Sequence, residues 1–218
     1  MVKYLNGRWH TWYFLLVRSI TGTRATILPP YHRVGTETTP GWEEALHHLS
    51  PATRGAIVAL VSDGHRGLVL GAQRQGWLMQ RCHFHLLKRL QAQRSRWRTG
   101  RNREEAEVIH TAVTTVLSTT KQRTLADALD TIEHVRTTST SREIRTILSG
   151  FLANYRDFQT YLTHPHLNLP TTSNTAEVLV GLTEELSRRA RGFRTVAALN
   201  EWITVLVKVR KTISCKGK

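Results

Sequence analysis

The spacing of apolar residues predicts strands in the first third of the chain. Residues 12–20 are aromatic and β-branched, and a turn at 21–23 follows them, which predicts a β-hairpin. Residues 58–61 form a short apolar run bounded by a turn signal, as expected of a buried strand. A helix is predicted over about 66–75, and the apolar stretch 77–84 predicts a further strand. This order of elements is typical of a mixed α/β sheet.

The rest of the chain has a helical pattern. From residue 86 to 162 the apolar residues recur at helical spacing, without proline and with almost no strand signal. After a loop that contains Pro165 and Pro170, two more helices are predicted over about 175–191 and 196–211. The sequence therefore predicts an α/β protein in which an all-helical segment interrupts the sheet-forming part.

The charge of the chain indicates a polyanionic partner. The 218 residues include 31 Lys and Arg against 16 Asp and Glu, a formal net charge of +15. Nucleic-acid backbones are the commonest partner of so basic a surface. An anionic membrane fits less well, because the basic residues are scattered along the chain and no apolar stretch is long enough to span a bilayer. With no signal peptide and no disulfide framework, we expect a reduced, intracellular protein without a membrane partner.

Asp63 is the first candidate functional residue. It follows the apolar run 58–61, and Gly64 then allows a sharp turn. The carboxyl end of a buried strand is where open α/β sheets place ligands and chemistry. A simpler interpretation is that Asp63 caps the helix that begins near Arg66.

Glu177 is the second candidate. It falls in the first turn of a predicted helix whose N-cap is Asn174 or Ser173. Asn174 and Glu177 have the spacing of a capping box, which would give the acid a purely structural role. Cations at the end of the same helix either complement the helix dipole or contact phosphate; they are Arg188, Arg189, Arg191 and Arg194.

The order and spacing of several short motifs resemble a known family. S-D-G follows a predicted strand, C-H-F-H stands at 82–85, a helical segment follows, and T-T-S-N-T-A-E then leads a helix that ends in R-R-A-R-G. Together these motifs resemble the Mutator-type transposases of bacterial insertion sequences and their eukaryotic relatives, from residue 1 to about 208. The resemblance implies a ribonuclease H-like mixed sheet with a DDE triad and a helical insertion before the last acid. It divides the chain into a first part of the core at 1–85, a helical insertion at 86–162 and a C-terminal part of the core at 163–214.

The resemblance assigns roles to individual residues. Asp63 matches the second acid of the triad and Glu177 the third, while Cys82 and His85 match a C-x-x-H motif that implies a positioning role for His85 beside the active site. From the residues alone, Cys82 is also interpretable as a small buried hydrophobe and His85 as a core histidine bonded to backbone. Zinc is disfavoured, because a second pair of ligands is missing.

The first acid of the triad has no match. No Asp or Glu precedes Glu37, and Asn6 with Gly7 stands where the family has Asp-Gly. We therefore expect Asn6 on the first strand, directed toward the same cleft as Asp63. We also expect a truncated or decayed copy with weak or absent activity.

The implied activity is metal-dependent cleavage and transfer of DNA strands. Carboxylates of this kind hold Mg²⁺ or Mn²⁺. The implied partners are DNA, as transposon ends and target, and further copies of the chain in a homodimer or larger synaptic assembly, in the nucleoid of a prokaryotic cytoplasm. Lys88, Arg89 and the arginines near Arg188 are the candidate DNA contacts. Two alternatives stay open: a nucleic-acid-binding remnant without catalysis, and a metal-dependent nuclease on the same fold.

Overall fold

The computed structural model describes residues 1–96, 102–190 and 192–215, which form two compact units. The first unit comprises residues 1–78 together with the C-terminal segment from Ser173, and the second comprises Met79–Thr172. Helices and small β-sheets are both present, which confirms the predicted mixed α/β class. Within the described ranges no helix has the length and apolar character needed to cross a membrane.

The strands are short. They are β1 (Val2–Leu5), β2 (Arg8–Tyr13), β3 (Leu16–Val17), β4 (Arg24–Ile27), β5 (Tyr31–Val34), β6 (Ala59–Ser62), β7 (Leu78–Arg81) and β8 (Thr212–Ser214). The helices of both units are numbered in the order in which they occur along the chain. They are α1 (Thr39–His47), α2 (Pro51–Ala56), α3 (Arg66–Gln75), α4 (His83–Arg96), α5 (Asn102–Ser118), α6 (Gln122–Thr138), α7 (Arg142–Leu152), α8 (Tyr155–Phe158), α9 (Thr160–Thr163), α10 (Asn174–Arg189) and α11 (Val196–Arg210).

The strands of the described residues form three small sheets, so the prediction of one mixed sheet is wrong. Antiparallel pairs join β1, β2 and β5 in one sheet and β3, β4 and β8 in another. The third sheet pairs β6 with β7, and the amide of Leu78 donates to the carbonyl of Val58 at 3.0 Å. The predicted strand over 12–20 is divided between two of these sheets, since β2 ends at Tyr13 and the chain enters β3 at Leu16.

A tight turn joins β1 to β2 and corrects a second prediction. Leu5 and Arg8 are cross-strand partners, and the two residues between them, Asn6 and Gly7, have φ of 49° and 76°. Two consecutive left-handed residues are the requirement of a type I′ hairpin turn, which Asn-Gly satisfies at low steric cost. Asn6 is therefore exposed in a turn, and the expectation that it lies on the first strand is wrong.

Two apolar clusters organise the first unit. The larger contains Trp12 of β2, Leu179 of α10 and Ile203 of α11, all nearly inaccessible to solvent. The smaller packs α1 against α3 through Leu46 and Leu68. Because Leu179 is buried in the first turns of α10 and Leu68 in the first turn of α3, both helices begin at well-anchored positions.

The second unit has an apolar core of its own. It is centred on residues such as Val113 of α5, Ile132 of α6 and Leu148 of α7, which are fully buried. The described residues between His83 and Thr163 form helices joined by short connections, consistent with the helical spacing of their apolar residues.

Candidate functional site

The turn between β6 and α3 holds Asp63 at its exposed edge. The Oδ1 atom of Asp63 accepts the backbone N–H of His65 at 3.0 Å, and the hydroxyl of the buried Ser62 accepts that of Gly64 at 3.1 Å. Gly64 has φ of 91°, which L side chains rarely adopt, so glycine allows the chain to turn away directly after Asp63. The turn therefore fixes the carboxylate at the carboxyl end of a strand while leaving it accessible to solvent.

The cap of α3 is His65, not Asp63. His65 occupies the N-cap position, and its Nδ1 accepts the backbone N–H of Gly67 at 3.1 Å. Since Nδ1 is the acceptor, the neutral ring carries its proton on Nε2. The interpretation of Asp63 as the helix cap is wrong, because the chain reaches the cap position two residues later.

Glu177 lies half-buried in the first turn of α10. The N-cap of this helix is Ser173, which is one of the two predicted candidates. The hydroxyl of Ser173 donates to Oε1 of Glu177 at 3.0 Å. Asn174 is the first helical residue, so it cannot form the predicted capping box with Glu177. The carboxylate is instead oriented by a serine hydroxyl.

Asp63 and Glu177 both belong to the first unit, although they are far apart in the chain. Each stands beside the beginning of a helix whose first turns pack on the core. The partial positive charge of a helix N-terminus favours carboxylates at such positions. That the two carboxylates face one cleft stays a prediction.

The C-x-x-H segment belongs to the second unit. Cys82 is a free, buried cysteine between β7 and α4, in agreement with its interpretation as a small buried residue. His83 is a core histidine bonded to backbone, because its Nε2 lies 2.8 Å from the carbonyl of Phe158 and its amide donates to the carbonyl of Thr171 at 2.8 Å. His85 is half-buried in the first turn of α4, and its positioning role stays a prediction.

The candidate DNA-contacting cations occupy exposed helical positions. Lys88 and Arg89 are exposed on α4, and the ammonium of Lys88 lies 5.7 Å from the centroid of the Phe84 ring. Arg188 and Arg189 are exposed in the last turn of α10, where Arg189 donates to Glu185 at 2.5 Å. Arg194 is exposed in the following loop, and Arg191 lies outside the described residues.

Sequence reasoning missed an aromatic pair on the β1–β2 hairpin. Tyr4 and Trp9 are cross-strand partners whose side chains are 58% and 49% exposed. The signal was present in the sequence, because a two-residue Asn-Gly turn pairs the residues that lie at equal distances on its two sides.

A comparison with known protein families shows to which family the chain belongs. The model of a transposase family, described as "Transposase, Mutator family", matches residues 21–209. The chain therefore belongs to the Mutator family of transposases, as the motifs around Asp63 and Glu177 predicted, and the general activity of that family is DNA transposition. Searches of the curated proteins and of the solved structures gave no significant match.

Proposed function

We propose that this chain contributes the catalytic centre of a DNA transposase, with Asp63 and Glu177 as carboxylate ligands of divalent cations. The observation that carries the proposal is that neither acid caps a helix: His65 caps α3, and Ser173 occupies the N-cap of α10. Neither the predicted cap by Asp63 nor the predicted Asn174–Glu177 capping box therefore accounts for the acids. The family to which the chain belongs supports the same conclusion.

The two side chains suit hard divalent cations. Mg²⁺ and Mn²⁺ prefer carboxylate oxygens, and Asp63 is exposed, with Oδ1 held by the amide of His65. The hydroxyl of Ser173 restrains Glu177 in a comparable way. When bound, such cations activate an attacking hydroxyl and stabilise a leaving oxygen. The protein's own contribution is to orient the two carboxylates by hydrogen bonds, from a backbone amide to Asp63 and from a serine hydroxyl to Glu177.

We further propose that the first unit is a ribonuclease H-like core and that helices within 86–162 form an insertion in it. The separate apolar cores of the two units support this division. Asn6 is not part of the proposed centre, because it lies in a hairpin turn. With two carboxylates assigned rather than three, we expect slow cleavage and joining.

DNA is the proposed partner of the basic surface. The net charge of +15 and the exposed Lys88, Arg89, Arg188 and Arg189 support phosphate contacts. The same charge favours a second candidate function, DNA binding without catalysis. Metal binding separates the two functions, since only the catalytic proposal requires a carboxylate site.

The direct test is titration with Mn²⁺, followed by electron paramagnetic resonance of the free ion. We expect Asp63→Asn and Glu177→Gln each to weaken Mn²⁺ binding by at least about ten-fold, since each removes a charged ligand. Glu201→Gln is the matched control, because Glu201 is an exposed acid on α11. Equal Mn²⁺ affinity in all four proteins would contradict the proposed centre and leave the DNA-binding function.

A further inference from the structure

We propose that the β1–β2 hairpin is a stacking platform for unpaired DNA bases, formed by Tyr4 and Trp9. The inference rests on DNA as the proposed partner, but it does not depend on the carboxylate centre. It assigns a binding function to an element that carries none of the residues proposed for catalysis.

The first argument is the exposure of two large aromatic rings at one place. Tyr4 is 58% and Trp9 49% exposed, and their centroids are 5.2 Å apart at an interplanar angle of 63°. In such an edge-to-face pair, the ring that presents its edge keeps both of its faces clear of its partner. The exposed part of this pair therefore offers a ring face on which a planar base can stack.

The second argument is the rigidity of the hairpin. Four cross-strand pairs, from Val2–Thr11 to Leu5–Arg8, lead into the type I′ turn. Farther along β2, Trp12 is buried in the core of the unit, and its indole N–H donates to Oδ1 of Asn200 at 2.6 Å. The platform is thus held in place before any ligand arrives, which lowers the entropic cost of binding.

The third argument is charge, which selects the class of partner. No Asp or Glu occurs before Glu37, whereas Lys and Arg occur at five positions in that segment. Arg8, the sequence neighbour of Trp9, is exposed on the opposite face of the hairpin, whereas Nζ of Lys3 lies 4.0 Å from Oε1 of Glu184. Two exposed aromatic rings in a segment that carries cations and no acids suit a nucleic acid, because bases can stack on the rings while the positive charge of the segment attracts the phosphate backbone.

The stacking surface also selects unpaired over paired bases. Inside a duplex both faces of a base are covered by its neighbours, so only an unpaired or extruded base offers a face to Tyr4 or Trp9. We therefore infer that the hairpin binds single-stranded DNA, such as a frayed or cleaved end, with little preference for sequence. The binding of duplex DNA should depend on the basic residues more than on the two aromatic rings.

The test measures DNA binding by fluorescence anisotropy, with EDTA present so that no metal site contributes. The probes are a fluorescein-labelled oligothymidylate of about 16 nucleotides, a length one such site can cover, and a duplex of the same length. We expect Trp9→Ala to weaken oligothymidylate binding by about ten-fold and duplex binding by less than about two-fold. Tyr4→Ala should act in the same direction.

Conservative variants and salt dependence separate stacking from a loss of structure. Trp9→Phe and Tyr4→Phe keep a stacking ring and should retain most of the affinity. Arg8→Ala should weaken both probes and reduce the slope of log affinity against log salt by about one, whereas the aromatic variants should leave that slope unchanged. Circular dichroism of each variant verifies that the hairpin variants are folded.

Two results would overturn the inference. One is unchanged oligothymidylate affinity of a folded double variant Tyr4→Ala, Trp9→Ala. The other is a loss of self-association in sedimentation with no change in DNA binding, which would make the hairpin an interface between copies of the chain. A loss of oligothymidylate binding together with intact Mn²⁺ binding would support the platform alone, so the two proposals fail independently.

Discussion

Nδ1 of His10 lies 3.1 Å from Nε2 of His32 across neighbouring strands, and the two imidazole rings stack with centroids 5.3 Å apart. Trp12 packs against His32 as well, at a centroid distance of 4.7 Å. One nitrogen of the contact must donate and the other must accept, so the pair is incompatible with two protonated rings. The stability of the sheet formed by β1, β2 and β5 should therefore depend on pH.

Stability should accordingly fall in mild acid. Burial, and then the neighbouring His10, lower the pKa of His32 below its usual value of 6.5. A depressed pKa in the folded state means that the unfolded state binds the proton more readily. The contribution of His32 to stability is therefore fully present above pH 6.5 and is lost as the pH falls through the lower pKa of the folded state. Urea unfolding between pH 8 and pH 5 measures this loss. His32→Gln should flatten the profile, and the exposed-residue control His47→Gln should not; an unchanged slope in His32→Gln would refute the assignment.

The packing of α3 on α1 predicts a large effect from one methyl group. A Cβ at Gly67 would lie 2.8 Å from the carbonyl oxygen of Thr39 and 2.8 Å from the Cβ of Trp42. We expect Gly67→Ala to reduce the free energy of unfolding by about 1–3 kcal/mol, since a backbone atom cannot easily move away. The control is Gly181→Ala on α10, where no heavy atom lies within 4 Å and alanine should stabilise the helix by about 0.5–1 kcal/mol. Thermal denaturation that ranks the two variants in the opposite order would contradict this packing.

The assignment of the α3 cap can be tested separately from function. We expect His65→Ala to lower stability by about 1 kcal/mol, because it removes the acceptor for the amide of Gly67. Asp63→Ala should lower stability by less than His65→Ala does, because Asp63 is exposed and the hydroxyl of Ser62 also holds the same turn through the amide of Gly64. Guanidinium denaturation of both variants decides the matter: a larger loss in Asp63→Ala would restore its interpretation as the structural residue.

Salt dependence tests the arginines at the end of α10. The double variant Arg188→Ala, Arg189→Ala should weaken duplex DNA binding. It should also lower the slope of log affinity against log salt by about two, since each lost phosphate contact reduces the number of released counterions by about one. Arg123→Ala on α6 serves as a control for the removal of an exposed arginine. A double variant with the salt slope of the unmodified chain would exclude these arginines from the DNA interface.

Local signals made α3 and the family predictable from sequence. The helix spans Arg66–Gln75 as predicted, because its apolar spacing and its start and stop residues are all close in the chain. The same kind of signal was overlooked at Asn6, where Asn-Gly specifies a hairpin turn more strongly than a motif alignment specifies a strand. Turn chemistry decided the conformation there.

Pairings between distant residues could not be predicted from local patterns. Arg24 of β4 pairs with Ser214 of β8, near the opposite end of the chain, and no periodicity within either segment indicates such a partner. The Ser173–Glu177 hydrogen bond was missed for a different reason. Several adjacent residues at the start of α10 could serve as the cap, and shifting the cap by one residue changes which partner the glutamate can reach.

The most direct test of the central claim is metal-dependent joining of short pre-cut DNA ends to a target duplex, followed on a denaturing gel. The account predicts slow joining in Mg²⁺ or Mn²⁺ by the unmodified chain, none in EDTA, and loss of joining in Asp63→Asn and in Glu177→Gln while DNA binding persists. Glu201→Gln should join as the unmodified chain does. Joining by folded Asp63→Asn at the unmodified rate would contradict the assignment of Asp63, and with it the proposed catalytic centre.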